Sequence, residues 1–323
     1  MKLIYLRFAG LAFFVTLLLL PTRMLAQEAN ILIVVGPSNH PPGSHEVAAG
    51  GLLMKHCLEN TANIAGVKVA LVGEWPANQK LLDSAATVVF IGDTFPAARF
   101  PGSPKVMQRL GTMMDRGCGI DCIHYATGLR AEDVAEDVAE DVAEDVAEDV
   151  AEDVAEDGEH PLLHWLGGYF ATRCKHHQSI ARIYPSATVS PAAAKRPVWN
   201  GCREFTLNDE PYINNYFGKD CNKPAANVTV LATSMLPPDS PKKEAVSWCV
   251  ERADKGRGFV IVMPHLYRNW KNEDLRRYTL NGIVWSAKLD VPKEGVETMT
   301  PDLAAFTPAS VEPRGPILPP PKK

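Results

Sequence analysis

Nearly unbroken apolar runs, rather than alternating ones, mark the first third of the chain: ILIVV at 31–35, VKVALV at 67–72, TVVFI at 87–91 and GIDCIH at 119–124. Short runs of this kind, bounded by Gly, Pro and polar residues, suit strands buried on both faces of a parallel sheet. Helical spacing appears between them, at 47–58 and at 104–116, where Val106, Leu110, Met113 and Met114 share a face and Gly117 is a stop signal. Strands alternating with helices predict an α/β fold, a mainly parallel sheet flanked by helices.

Further along the pattern is more broken. A short helix is expected at 160–168, where Gly167-Gly168 ends it, and a strand at 179–184. The Pro- and Ala-rich stretch 186–203 reads as loop, followed by short strands at 204–208, 228–232 and 245–250. GFVIVM at 258–263 is a strong buried-strand run, and an amphipathic helix at 273–289 would close the domain. The Pro-rich residues 293–323 hold few large apolar groups and are expected to be a disordered tail, which leaves 27–292 as the domain.

Two segments stand apart from this pattern. Residues 1–26 carry Lys2 and Arg7, then an apolar core at 8–20, and end in a small residue, Ala26. That is the form of a cleaved secretory signal, too short for a stable membrane anchor, and it implies a periplasmic or secreted protein. Residues 131–158 are six copies of AEDV and one of AEDG. Their valines wind around any helix at a period of four, so no single core can hold them, and a solvated low-complexity insertion is expected.

The insertion also distorts the net charge of −5: its seven Glu-Asp pairs carry −14, and the rest of the chain is mildly basic. No basic cluster interleaved with aromatics argues for nucleic acid. Seven cysteines, an odd number, are spread too thinly for a stapled scaffold; most read as buried small hydrophobes, with a Cys202–Cys221 bridge left open.

The candidate chemistry lies at strand ends. GPSNHPPGSHE at 36–46 follows the first strand, with Ser44 as the expected N-cap of the next helix and His40, His45 and Glu46 in the loop. His124-Tyr125 follows the fourth strand, Asp209-Glu210-Pro211-Tyr212 follows a short one, and His265, Tyr267 and Trp270 follow GFVIVM. Open α/β sheets bind ligands beyond the carboxyl ends of their strands, so these groups can converge. His176 and His177 are adjacent and point to opposite faces of an extended segment, so at most one can join. His56, His160 and His164 read as surface or helix-packing residues.

Taken in order, these pieces resemble the ThuA-like family of the class I glutamine-amidotransferase-like superfamily. The resemblance rests on HPPGSHE at 40–46, GCGIDCIHYATG at 117–128, WLGGYF at 165–170, FTLNDEPY at 205–212, GRGFVIVMPHLYRNW at 256–270 and NGIVWSA at 281–287. It implies a flavodoxin-like sheet and a small-molecule carbohydrate partner, since the family is associated with trehalose and related disaccharides through keto-sugar chemistry. Amidotransferases place a Cys on the elbow after a strand and activate it with a His. Here His124 takes the elbow, His265 takes the place of the activating His, and Cys122 lies deeper in the strand, so glutamine hydrolysis is not expected.

Two mechanisms suit a sugar or keto-sugar substrate. In one, His45, His124 and His265, or Glu210, hold a divalent metal that polarises a carbonyl or activates water. In the other, His265 or Glu210 abstracts a proton beside a carbonyl while His124 and its neighbours steady the enediolate. His45, Glu46, Tyr125, Tyr267 and Trp270 would bind substrate, with Trp165 another ring to stack on a sugar. A non-catalytic carbohydrate-binding or interaction module on the same fold is the competing reading.

Overall fold

The computed structural model describes residues 28–134 and 158–314. The signal-like segment and most of the acidic insertion therefore lie outside the described residues. A nine-stranded sheet runs through the molecule in the order β2-β1-β3-β4-β11-β10-β9-β7-β8. One side of it is the parallel unit read from the apolar runs: β1 (Ala29–Val35), β2 (Val67–Val72), β3 (Ala85–Ile91), β4 (Gly119–Ile123) and β11 (Arg257–Ile261). β1, β3 and β4 are almost wholly buried, as strands covered on both faces must be.

The other side is antiparallel: β10 (Lys242–Glu251), β9 (Val228–Leu236), β7 (Tyr184–Pro191) and β8 (Phe205–Asp209). A two-stranded parallel ribbon, β5 (Gly128–Arg130) and β6 (Phe170–Thr172), stands beside the main sheet. Helices α1 (Val47–Glu59), α2 (Gln79–Ser84), α3 (Ser103–Asp115), α4 (Pro161–Leu166) and α5 (Glu273–Ser286) accompany the strands. α5 is capped by Asn272, whose Oδ1 accepts from Leu275 N, and lies against β11, β4 and β3. No helix among the described residues is long and apolar enough to cross a membrane.

Several expectations need correction. The strand expected at 179–184 starts only at Tyr184 and occupies part of the stretch read as loop. Ser44 does not cap α1; Glu46 stands at the cap position, and its carboxylate accepts from Gly43 N at 2.8 Å, Ala309 N at 3.1 Å and Ser310 N at 3.1 Å. The stretch read as a disordered tail is folded onto the domain as far as Arg314: Val296 and Leu303 are buried, and Arg314 N donates to Pro42 O at 3.0 Å. Gly43 lies so close to this segment that a Cβ there would meet Glu312 O at 2.2 Å, and its φ of 84° favours glycine. Cys202 and Cys221 are both free, so they form no bridge; five of the other cysteines are buried thiols. The first repeat is not loose either, since buried Val134 and an Arg99–Asp133 ion pair attach it to the domain.

Candidate functional site

Four parallel strands deliver their following residues to one place. β1 leads to His40 and His45, β3 to Asp93, β4 to His124 and β11 to His265, while β8 brings Glu210 and Tyr212 from the antiparallel side. The loop at 41–46 is fixed against the loop after β11: His45 N donates to His265 O at 2.6 Å, Tyr267 N to Gly43 O at 3.0 Å, and Ser44 bridges Leu266. Asp209 holds the β11 loop in turn, accepting from His265 N at 3.0 Å and Leu266 N at 2.9 Å. Three non-glycine residues here sit in the left-handed region: His45 (φ 45°), Thr94 (φ 59°) and His124 (φ 51°). Such backbone costs about 1 kcal/mol or more per residue and persists where the surroundings dictate it.

The imidazoles of His40, His45, His124 and His265 form one cluster. Ring centroids are 5.0 Å apart for His40–His45, 4.9 Å for His45–His124, 5.0 Å for His124–His265 and 5.0 Å for His40–His265. Within it the donor atoms fall into two sets of three, His124–Glu210–His265 and His40–His45–Asp93, each with all its atoms within 4.8 Å of one another. The expected trio of His45, His124 and His265 is thus brought together but divided between the sets.

In the first set His124 Nδ1–H donates to Val262 O at 3.1 Å, which leaves a lone pair on Nε2. That nitrogen is 3.0 Å from His265 Nδ1 and 3.9 Å from Glu210 Oε2, and Glu210 Oε2 is 3.5 Å from His265 Nδ1. The Tyr212 hydroxyl also reaches His124 Nε2, at 3.1 Å. Burial keeps His124 well below its usual range and His265 down to about 3, so both rings are neutral. Burial, with the charge of Asp209 adding, pushes the Glu210 carboxyl up to about 7.

In the second set one oxygen, Asp93 Oδ1, accepts from His40 Nδ1 at 2.9 Å and from His45 Nδ1 at 2.6 Å. Asn39 N donates to Asp93 Oδ2 at 2.7 Å. Burial alone would raise the Asp93 carboxyl, but the hydrogen bonds from His40, His45 and Asn39 outweigh it and hold it well below the usual range. His45 Nε2 is buried with no hydrogen-bond partner.

The other residues singled out in the sequence divide. Tyr125 is half-buried beside the cluster, with its ring centroid 6.1 Å from that of His40. It also lines a cleft of about 410 Å³ with Arg130, Ala131, Glu132, Thr172 and Arg173, a volume in the range of small-molecule sites. Glu46, Tyr267 and Trp270 do not fit a substrate-binding role. The Glu46 carboxylate is taken up by backbone N–H groups, the buried Tyr267 hydroxyl donates to Leu303 O at 3.1 Å, and Trp270 is buried in the core. Tyr169 bonds His176 and the Asn214 carbonyl bonds His177, so neither ring belongs to the two sets.

Sequence reasoning missed Asp93 and underrated His40 and Tyr212. A Gly-Asp pair closing a buried strand was visible at 92–93, but nothing local distinguishes it from an ordinary turn. Cys122 lies fully buried within β4, and burial raises its thiol well above the usual range, so it offers no exposed thiolate.

An open α/β sheet with a histidine-rich constellation beyond its carboxyl edge defines the class of the molecule. The chain matches no family model, and no curated protein matches it by sequence. Solved structures share its fold. A ThuA-like protein from Bacteroides uniformis is 12% identical, with 86% of this chain and 98% of that one covered and a TM-score of 0.54. A second ThuA-like protein, from Parabacteroides merdae, is 14% identical, with 85% and 94% covered and a TM-score of 0.50. The carbohydrate deacetylase Agd3 aligns at 11% identity over 81% of this chain and 32% of its own, with a TM-score of 0.45. The fold is that of ThuA-like proteins.

Proposed function

We propose that the chain is a secreted, metal-assisted enzyme that processes a carbonyl-bearing carbohydrate by proton transfer or hydrolysis. The observation that carries this reading is the first donor set: two neutral imidazole nitrogens and a carboxylate oxygen face one another at 3.0, 3.5 and 3.9 Å. Ligands about 2.1 Å from an ion stand about 3.0–3.4 Å apart, so the set is close to coordination spacing as it stands. Two His and one carboxylate suit a divalent transition metal and leave positions open for substrate.

His124, His265 and Glu210 would hold the ion, and Val262 O fixes the His124 ring with Nε2 toward His265 and Glu210. A bound divalent ion supplies Lewis acidity toward a carbonyl oxygen or a sugar hydroxyl. The Tyr212 hydroxyl, 3.1 Å from His124 Nε2, is kept protonated by burial and would turn its O–H to a substrate oxygen once that nitrogen is taken by the ion. Tyr125 and its cleft receive the sugar. The carbohydrate class is supported by the resemblance of the ordered motifs to the ThuA-like family, and export by the signal-like residues 1–26.

The test joins metal analysis of the purified protein to incubation with plain and oxidised disaccharides. Bound divalent metal and conversion of a keto-disaccharide are expected, with conversion at least 100-fold slower in His265→Ala and Glu210→Gln. Equal conversion by wild type and both variants would sink the catalytic assignment. Sugar binding without conversion over hours would favour a binding module instead.

A further inference from the structure

The second donor set lies immediately beside the first and is built from the same ingredients. Asp93 Oδ1 stands 2.9 Å from His40 Nδ1 and 2.6 Å from His45 Nδ1, with all three atoms within 4.8 Å of one another. Donors at right angles around an ion are about 3 Å apart, close to both distances to Asp93 Oδ1, and an ion would take the place of the two Nδ1 protons as each ring shifts its proton to Nε2. The donors come from two separate segments, the loop after β1 and the end of β3, locked by the left-handed residues His45 and Thr94. Rings of the two sets adjoin, with centroids 4.9 Å apart for His45–His124 and 5.0 Å for His40–His265. His45 Nε2 is buried without a partner, so it is free to take up the ring proton when Nδ1 turns to an ion.

We propose that His40, His45 and Asp93 hold a second divalent transition-metal ion, which makes the site a two-metal centre. This rests on the reading that His124, His265 and Glu210 hold the first. Two adjacent ions clamp two neighbouring oxygens of one substrate, which selects sugars that present a carbonyl next to a hydroxyl, or two adjacent hydroxyls. His40 is the most accessible member of the set, with its side chain 24% exposed, and so lies on the side open to substrate.

The test is metal stoichiometry on the full chain, stripped with chelator and reloaded separately with zinc and with manganese, then freed of excess ion. Wild type is expected to retain two equivalents. His40→Ala and Asp93→Asn should each retain one, and so should His265→Ala. Circular dichroism confirms that each variant is folded, and His40→Ala, on an exposed loop, is the variant least prone to unfold. The manganese-loaded wild type should show the exchange-coupled spectrum of two neighbouring ions by electron paramagnetic resonance, and the variants that of isolated manganese. One equivalent in wild type, kept by His40→Ala and lost by His265→Ala, overturns the second site and leaves the first intact. Uptake of none by wild type overturns both readings. Two equivalents with an uncoupled spectrum place the second ion elsewhere and overturn the assignment.

Discussion

Two sets of two histidines and one carboxylate sit side by side, and the protein treats their carboxylates in opposite ways. Asp93 is surrounded by donors: His40, His45 and Asn39 N all give it hydrogen bonds. The Glu210 side chain makes no hydrogen bond to another described residue; it faces two imidazoles at 3.5 and 3.9 Å and has Asp209 as its neighbour. The first carboxylate is satisfied by the chain itself. The second is half-buried with no donor of its own, so its charge is relieved by a proton, as its raised pKa of about 7 reflects, or by a cation. Before any ion binds, one set is therefore held together by its own hydrogen bonds and the other is not.

Opposite responses to neutralisation follow. Asp93→Asn removes a charged acceptor of several hydrogen bonds and should destabilise the metal-free protein by about 2–4 kcal/mol, read from the urea midpoint in chelator. An unchanged midpoint would break the contrast at its stronger end. Saturating zinc, at about 100 times its dissociation constant, should stabilise wild type by about 2.7 kcal/mol for each site it fills. Glu210→Gln should forfeit much of that gain and, without metal, should be more stable than wild type by about 1 kcal/mol. Destabilisation by Glu210→Gln in chelator would show that the carboxylate is satisfied after all.

His160 is a buried imidazole outside both sets. Its Nδ1 accepts from Leu162 N at 3.0 Å at the start of α4, and burial holds its pKa down to about 3. The folded protein refuses a proton that the unfolded chain accepts below about 6.5. Its contribution is complete above that value and is lost as pH falls toward 3. His160→Asn keeps an acceptor at the cap and should flatten the acid limb of the stability curve between about pH 6.5 and 3. An unchanged limb would remove His160 from the account.

The parallel half of the fold was legible because its strands are continuous apolar runs, and the elbow His124 and His265 followed from where those runs stop. β7 was not, because YPSATVSP buries only Tyr184, Ala187 and Val189 and looks like loop. Tyr267 and Trp270 were misplaced because an aromatic after a strand reads the same whether it stacks on a ligand or fills the core. Asp93 and Glu46 escaped for a different reason. The partners that give each its role lie 48 and 53 residues away for Asp93 and more than 260 for Glu46, so no local pattern encodes them.

The clasp between Glu46 and residues 309–310 has a consequence for biogenesis. The histidine-bearing loop is among the first parts of the domain to be synthesised, yet one of the segments that hold it is translated more than 260 residues later. Both of its fastenings, to the loop after β11 and to residues 309–310, lie far downstream, so the pocket closes only when nearly the whole domain has been made.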